Sequence, residues 1–251
     1  MKHLPVLHRE AKVWYATDML PFRDYNPSRT FPLVTISLIA LNVLVFLYML
    51  TLQAQGDQVL LRFVQRAAVI PLEYTTGHDI PPESIHPIYL TVFTAMFMHA
   101  GFLHLAGNML YLWIFGNNIE DIMGHGRFLI FYLLCGVIAT ATHIASDPTS
   151  PLPSLGASGA IAGVLGAYLV KFPRAQVDTC VFFIFITVIR LPAIIVLAGW
   201  FILQLFQGVA ALSTGASHQG GTAFWAHIGG FIAGMIFVNL FQKRRNIRYN
   251  Y

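Results

Sequence analysis

Apolar residues run without a charge from residue 33 to residue 52. Twenty residues at about 1.5 Å each cover the roughly 30 Å hydrocarbon core of a bilayer, so the pattern predicts a spanning helix. A polar and amphipathic stretch over 53–89 follows, holding Pro71, Pro81, Pro82 and Pro87, and apolar character returns over 94–115. After a predicted loop at 116–126, residues 128–144 read as a third span. Pro148, Pro151 and Pro153 mark 146–155 as a break between helices, and a fourth helix reads over 156–170. The apolar run 181–189 is too short to span and ends at Arg190, which predicts an interfacial connection. Fifth and sixth helices are expected over 193–212 and 223–241, separated by the Gly- and Ser-containing loop 213–222. The expected fold class is therefore all-α: a polytopic membrane protein of six transmembrane helices. Its predicted parts are an N-terminal segment over 1–31, a membrane domain over 32–241 and a basic tail over 242–251.

Composition agrees and removes alternatives. The 251 residues are 56% hydrophobic and 10% charged with a mean hydropathy of +0.64, against about 25% charged in soluble domains. The net charge of +4 does not indicate nucleic acid, because the Lys and Arg residues lie at chain ends and in loops with no basic-aromatic module. Their distribution instead sets orientation. With six spans, 13 of the 15 fall on the side that carries both termini, and only Arg62 and Arg66 fall on the other. The positive-inside rule then puts both termini in the cytoplasm, and the expected location is a prokaryotic plasma membrane. The first 30 residues are mixed polar and basic and do not read as a cleavable signal. Cys135 and Cys180 sit in apolar runs without a CxxC spacing, which suits small buried hydrophobes better than a disulfide or metal site.

In that topology the second, fourth and sixth helices begin in the outer half of the membrane, and their beginnings hold the polar residues. These are His99, His104 and Asn108; Gly156, Ala157, Ser158 and Gly159; and Ala226, His227, Ile228, Gly229 and Gly230. Counting from Lys171, Ser158 lies about 20 Å above the inner edge, roughly 10 Å below the outer surface, and His104 and His227 fall at similar depth. A serine hydroxyl is a weak nucleophile until a neutral imidazole accepts its proton, so Ser158 and His227 suggest a nucleophile and its base. The outer acids, Asp57, Glu73, Asp79, Glu83 and Asp147, all lie in loops, so a Ser-His dyad is expected rather than a triad. His104 and Asn108, at i and i+4, offer donors to a developing oxyanion, and the first-turn amide of Ser158 offers another.

Blander readings compete. His and Asn in a membrane helix also act as interhelical hydrogen-bond glue, and nine small residues in the twelve from 156 to 167 suit close packing. Packing explains why helices approach; it does not require Ser158 and His227 at the point of approach. A metalloprotease would need a motif such as HExxH, yet Leu105 follows His104, and on one continuous helix His99 and His104 would lie about 140° apart. No acid pair sits within the outer or middle thirds of the spans, as an aspartyl membrane protease would need. A proton-coupled transporter could use the histidines as a relay, but there is no evident inverted repeat. A binding-only relative would lack Ser158 or His227.

Taken together, His99-x4-His104-x3-Asn108, Gly156-Ala157-Ser158-Gly159 and Ala226-His227-Ile228-Gly229-Gly230 resemble the rhomboid intramembrane serine proteases. The likeness extends from about Phe93 to Phe241 and takes in the GNNIEDIMG stretch at 116–124 and Phe172-Pro173-Arg174. It implies a six-helix rhomboid-like bundle with Ser158 as nucleophile, His227 as base, and His104, Asn108 and the Ser158 amide as oxyanion donors. It implies transmembrane-helix protein substrates met in the lipid bilayer, cut near their extracytoplasmic end, with no cofactor and no metal. Two departures stand out. Ala162 occupies the position where well-studied bacterial members often have a Tyr stacked on the histidine, and the first loop lacks their Trp-Arg pair.

Overall fold

The computed structural model describes residues 19–182, 186–214 and 222–243. In chain order the elements are β1 (Met19–Asp24), α1 (Leu33–Gln55), α2 (Asp57–Ala67), α3 (Pro71–Thr76), α4 (Leu90–Ala95), α5 (Phe102–Met123) and α6 (His125–Ser146). They continue with α7 (Ser158–Lys171), β2 (Gln176–Phe182), β3 (Ile186–Pro192), α8 (Ala193–Thr214) and α9 (Phe224–Phe241). Among the described residues four helices are long and apolar enough to cross a membrane: α1, α6, the Ala193–Leu212 part of α8, and α9. Large apolar side chains such as Leu44, Leu47, Phe206, Val209, Ile236 and Leu240 stay exposed on them, as lipid-facing surface requires.

The core lies around α7. Every residue from Gly159 to Tyr168 is buried, in contact with Phe115 of α5, Phe131, Tyr132 and Cys135 of α6, and Phe231 and Ala233 of α9. Helix α7 can be central because glycines, Gly159, Gly163 and Gly166, line its contact with α9. A Cβ on Gly230 or Gly234 would collide with the carbonyls of Gly159 and Gly163, and one on Gly166 with the carbonyl of Phe231. Backbone thus packs on backbone between α7 and α9, the association expected where lipid offers no hydrophobic drive between helices.

Three expectations from the sequence change. The predicted span 94–115 is two helices, α4 and α5, with 96–101 non-helical between them. The turn bonds Phe97 N–H to Thr94 O and Met98 N–H to Ala95 O close α4, and Gly101 in extended conformation starts α5. Apolar composition reported depth there, not backbone conformation. Residues 116–123, expected as a loop, form the last turns of α5, and only Gly124 (φ 78°) separates α5 from α6. The polar side chains of those turns tie down the N-terminal segment. The Glu120 carboxylate accepts from Val34 N, Thr35 N and Thr35 Oγ1 at 2.7–2.8 Å. It thereby caps α1, whose own Pro32 cannot. Asn118 Nδ2 donates to Asn26 O, and Thr30 Oγ1 to Asp121.

The third change is that the protein is not all-α. Strands β1, β2 and β3 form an antiparallel sheet in that order. The expected interfacial connection is a β2–β3 hairpin with Phe182 opposite Ile186, and the N-terminal segment adds β1 to it with an irregularity between Pro21 and Arg23. Arg190 Nε donates to Asp178 at 2.8 Å and Tyr25 Oη to the same carboxylate at 2.7 Å. The Arg190 hydrogen bond, followed by that of Tyr25, holds the Asp178 carboxyl below its ordinary range. Cys135 is buried as expected, whereas Cys180 on β2 is only partly covered. The loop expected over 213–222 is shortened by α8, which runs to Thr214, and its residues 215–221 lie outside the described residues. The tail lies outside them from residue 244.

Candidate active site

Ser158 is the first residue of α7. The chain reaches it through Gly156 at φ +134°, a conformation L side chains rarely adopt, and Gly156 N–H is fixed to Ala95 O at the end of α4 (2.9 Å). No side chain caps α7, so its first-turn amides have no cap partner. His227 lies in the first turn of α9, which approaches α7 through the glycines described above. The two side chains meet: Ser158 Oγ is 2.8 Å from His227 Nε2. Close packing is therefore the means by which the pair is brought together, not a competing account of it.

His104, in the first turn of α5, lies alongside. A Cβ placed on Gly156 would sit 3.0 Å from His104 Cε1, 3.2 Å from its Nε2 and 3.6 Å from Ser158 Oγ. Glycine at 156 thus also leaves room for the imidazole beside the hydroxyl. Asn108 is one turn further along α5 and buried, and its Nδ2 has no hydrogen-bond partner among the described residues; the same is true of His104 Nδ1. Buried amide donors are rarely left unpaired without a reason. His99 is buried in the non-helical 96–101 segment, its ring 5.1 Å from that of His104 in an edge-on contact. The two histidines therefore do not diverge as they would on one continuous helix. No cluster of three or more His, Cys, Asp or Glu residues disposed to hold a metal occurs among the described residues.

Helix α8 supplies two groups that sequence reasoning missed. Gln204 Oε1 lies 2.7 Å from His227 Nδ1, and the Trp200 ring lies 5.7 Å from the imidazole at an interplanar angle of 35°. Trp200 thus packs a ring beside the histidine, whereas Ala162, fully buried in α7, has none to offer. The available signal is a glutamine inside an otherwise apolar span, a neutral acceptor where a carboxylate is the usual partner. A cavity of about 40 Å³ adjoins Ser158, lined among others by Gly136, Ala139, His143, Gly156 and Gly159. It is sized for a small group.

Chemically, the arrangement combines a hydroxyl, an imidazole able to take its proton, and donors on α5 that have no partner among the described residues. A model of the rhomboid domain matches residues 87–244. Over 76 residues the chain is 50% identical to the rhomboid protease GluP of Bacillus subtilis, covering 30% of this chain and 14% of that protein. It is 30% identical over 171 residues to the mitochondrial presenilin-associated rhomboid-like protein of Bos taurus (66% of this chain, 41% of that one). It is 27% identical over 181 residues to the mitochondrial rhomboid protein 1 of Saccharomyces cerevisiae (70% and 45%). The chain thus spans less than half the length of each of these relatives. Mitochondrial names among them leave the expected prokaryotic membrane without support.

Proposed function

The chain belongs to the rhomboid family, and on that premise we propose that it is an intramembrane serine endopeptidase working through Ser158 and His227. One observation carries the reading: two separate helices deliver a serine hydroxyl and an imidazole nitrogen to 2.8 Å of each other. In the proposed reaction His227 Nε2 takes the Ser158 proton as Oγ attacks the scissile carbonyl carbon. The resulting imidazolium gives that proton to the leaving amine, and water then releases the acyl group by the same base. The oxyanion is assigned to Asn108 Nδ2, the His104 ring and the Ser158 amide. The unpartnered Asn108 donor and the packing of His104 against Gly156 support that assignment.

The substrates proposed are single-span membrane proteins. Taking α5 and α7 as spans beside the four longer apolar helices gives a six-helix rhomboid-like bundle, with Ser158 toward the end opposite the sheet. Strand β1 pairs with β2, and Tyr168 Oη near the far end of α7 donates to Asp24 at 2.8 Å. These contacts put the N-terminal segment and the 172–192 connection at one end of the bundle, which the Lys/Arg distribution makes the cytoplasmic end. The cut then falls near the extracytoplasmic boundary, and the small cavity beside Ser158 favours a small residue there.

The test uses purified full-length protein and a panel of single-span substrates. Ser158→Ala and His227→Ala should each abolish cleavage while leaving the thermal transition in place. Serine-independent proteolysis in a clean Ser158→Ala preparation would reject the dyad.

A further inference from the structure

Resting on the proposed serine-protease reading, we infer that Gln204 is a positioning residue: from α8 it fixes the protonation pattern of His227, extending the dyad to a Ser158–His227–Gln204 relay whose third member is an uncharged amide. The chemistry of the groups decides the direction. A carboxamide oxygen only accepts hydrogen bonds, so at 2.7 Å from Gln204 Oε1 the His227 Nδ1 atom is the donor. A neutral imidazole carries one N–H, hence Nε2 bears the lone pair that Ser158 Oγ–H meets at 2.8 Å. Were the amide reversed, Nδ1 would accept and Nε2 would carry hydrogen toward Oγ, leaving no base. The other end of the amide agrees with the productive direction: Gln204 Nε2 donates to Gln207 Oε1 at 3.5 Å, so Ser158 Oγ–H, His227 Nδ1–H and Gln204 Nε2–H all donate in one sense, away from the serine.

Burial makes the assignment stable. Gln204 is 5% exposed and His227 8% exposed, so water competes little for the bond, and the Trp200 ring packs beside the imidazole. An amide also suits this place better than a carboxylate, because an unpaired ion within a membrane helix is expensive. The residue that orients the base therefore comes from a different helix than either reacting group, and α7, α8 and α9 must all be in register for the relay to exist.

The experiment measures full-chain protein in detergent with a single-span peptide substrate. Gln204→Leu, similar in volume and without an acceptor, should lower kcat at least about 10-fold with KM little changed, since loss of the correct tautomer is felt in the chemical step. Gln204→Glu keeps an oxygen at the same reach and should recover kcat clearly above that of Gln204→Leu, though short of the original because the carboxylate is costly to bury there. Independently of turnover, ¹⁵N-edited NMR should show a hydrogen-bonded His227 Nδ1 proton in the unaltered protein, assigned by its absence from His227→Ala, and should lose it in Gln204→Leu. Unchanged kcat in Gln204→Leu overturns the inference while leaving the dyad standing, as does an equal loss of kcat in Gln204→Glu at unchanged Tm. If Ser158→Ala retains full cleavage, it is the protease reading that fails, and the NMR arm still decides the hydrogen bond.

Discussion

Asn108 is a single residue with two possible reasons to be there, glue between helices or a donor to reacting substrate, and they predict different measurements. A glue residue would use its amide; here Nδ2 is buried with no partner among the described residues. Its replacement should then cost little structure and much chemistry. Asn108→Ala is expected to reduce kcat by about 10²- to 10³-fold, with Tm and KM nearly unchanged, the size of effect found for one oxyanion-hole donor. Steady-state kinetics beside a thermal melt checks it, and a collapsed melt with normal residual kcat would return Asn108 to the role of glue. At this scale the sequence was informative because polar groups inside apolar runs are costly and few, so His104, Asn108, Ser158 and His227 announced themselves. Gln204 was equally visible by that criterion. A carboxylate is the usual partner of a catalytic imidazole, but a membrane interior favours the neutral group.

The α7–α9 crossing is the element on which the site's geometry depends, and its tolerance for volume is uneven along the chain. A Cβ on Gly230 would run into the carbonyl of Gly159, backbone that cannot step aside without moving α9. Gly230→Ala should therefore cost about 1–3 kcal/mol by overpacking, a fall of several degrees in Tm. It should lower kcat as well, because His227 is carried one turn earlier on the same helix. Gly126→Ala is the counterpart: nothing lies within 4 Å of that Cβ, so lowering the entropy of the unfolded chain should raise Tm by about 1–4 °C without touching kcat. Thermal melts and turnover on the two variants decide the matter. Element positions were legible where apolar runs were long, as in α1, α6 and α9. They were misread where polarity and conformation part company. Residues 116–123 are polar yet helical because Asn118, Glu120 and Asp121 bind the N-terminal segment, and 96–101 are apolar yet not helical. Strand β1 was invisible because it finds its partner more than 150 residues away, a pairing no local pattern encodes, whereas the β2–β3 hairpin is local and its apolar run reads by hydropathy alone as an interfacial connection.

At the scale of the whole molecule, the proposed protease, whose serine begins a helix, would meet substrates that are themselves helices. A transmembrane helix has every backbone group hydrogen-bonded within itself, and opening it toward lipid costs several kcal/mol per exposed group. On the proposed reading the serine would receive an extended segment, so substrate unwinding would belong to the barrier. The molecule's own architecture suits that step: the uncapped start of α7 and the end of α4, from which the non-helical 96–101 segment leads off, are joined by the Gly156 N–H to Ala95 O bond, and on the proposed reading donors there would replace those the substrate gives up. Helix-weakening residues in the substrate should then matter more than its length. Substrates with Gly or Pro just beyond the cut are expected to be cleaved efficiently, and replacing those residues with Leu should lower kcat/KM by about 10-fold or more, since each Gly or Pro removed restores roughly 1–3 kcal/mol of helix stability. The cut site itself should stay near the extracytoplasmic boundary with a small residue at the cleaved bond. Mass spectrometry of the products maps the bond while the Leu series is measured in parallel. Undiminished cleavage of the stiffened helix would refute unwinding as part of the barrier, and a cut at the cytoplasmic end would refute the orientation drawn from the Lys/Arg distribution.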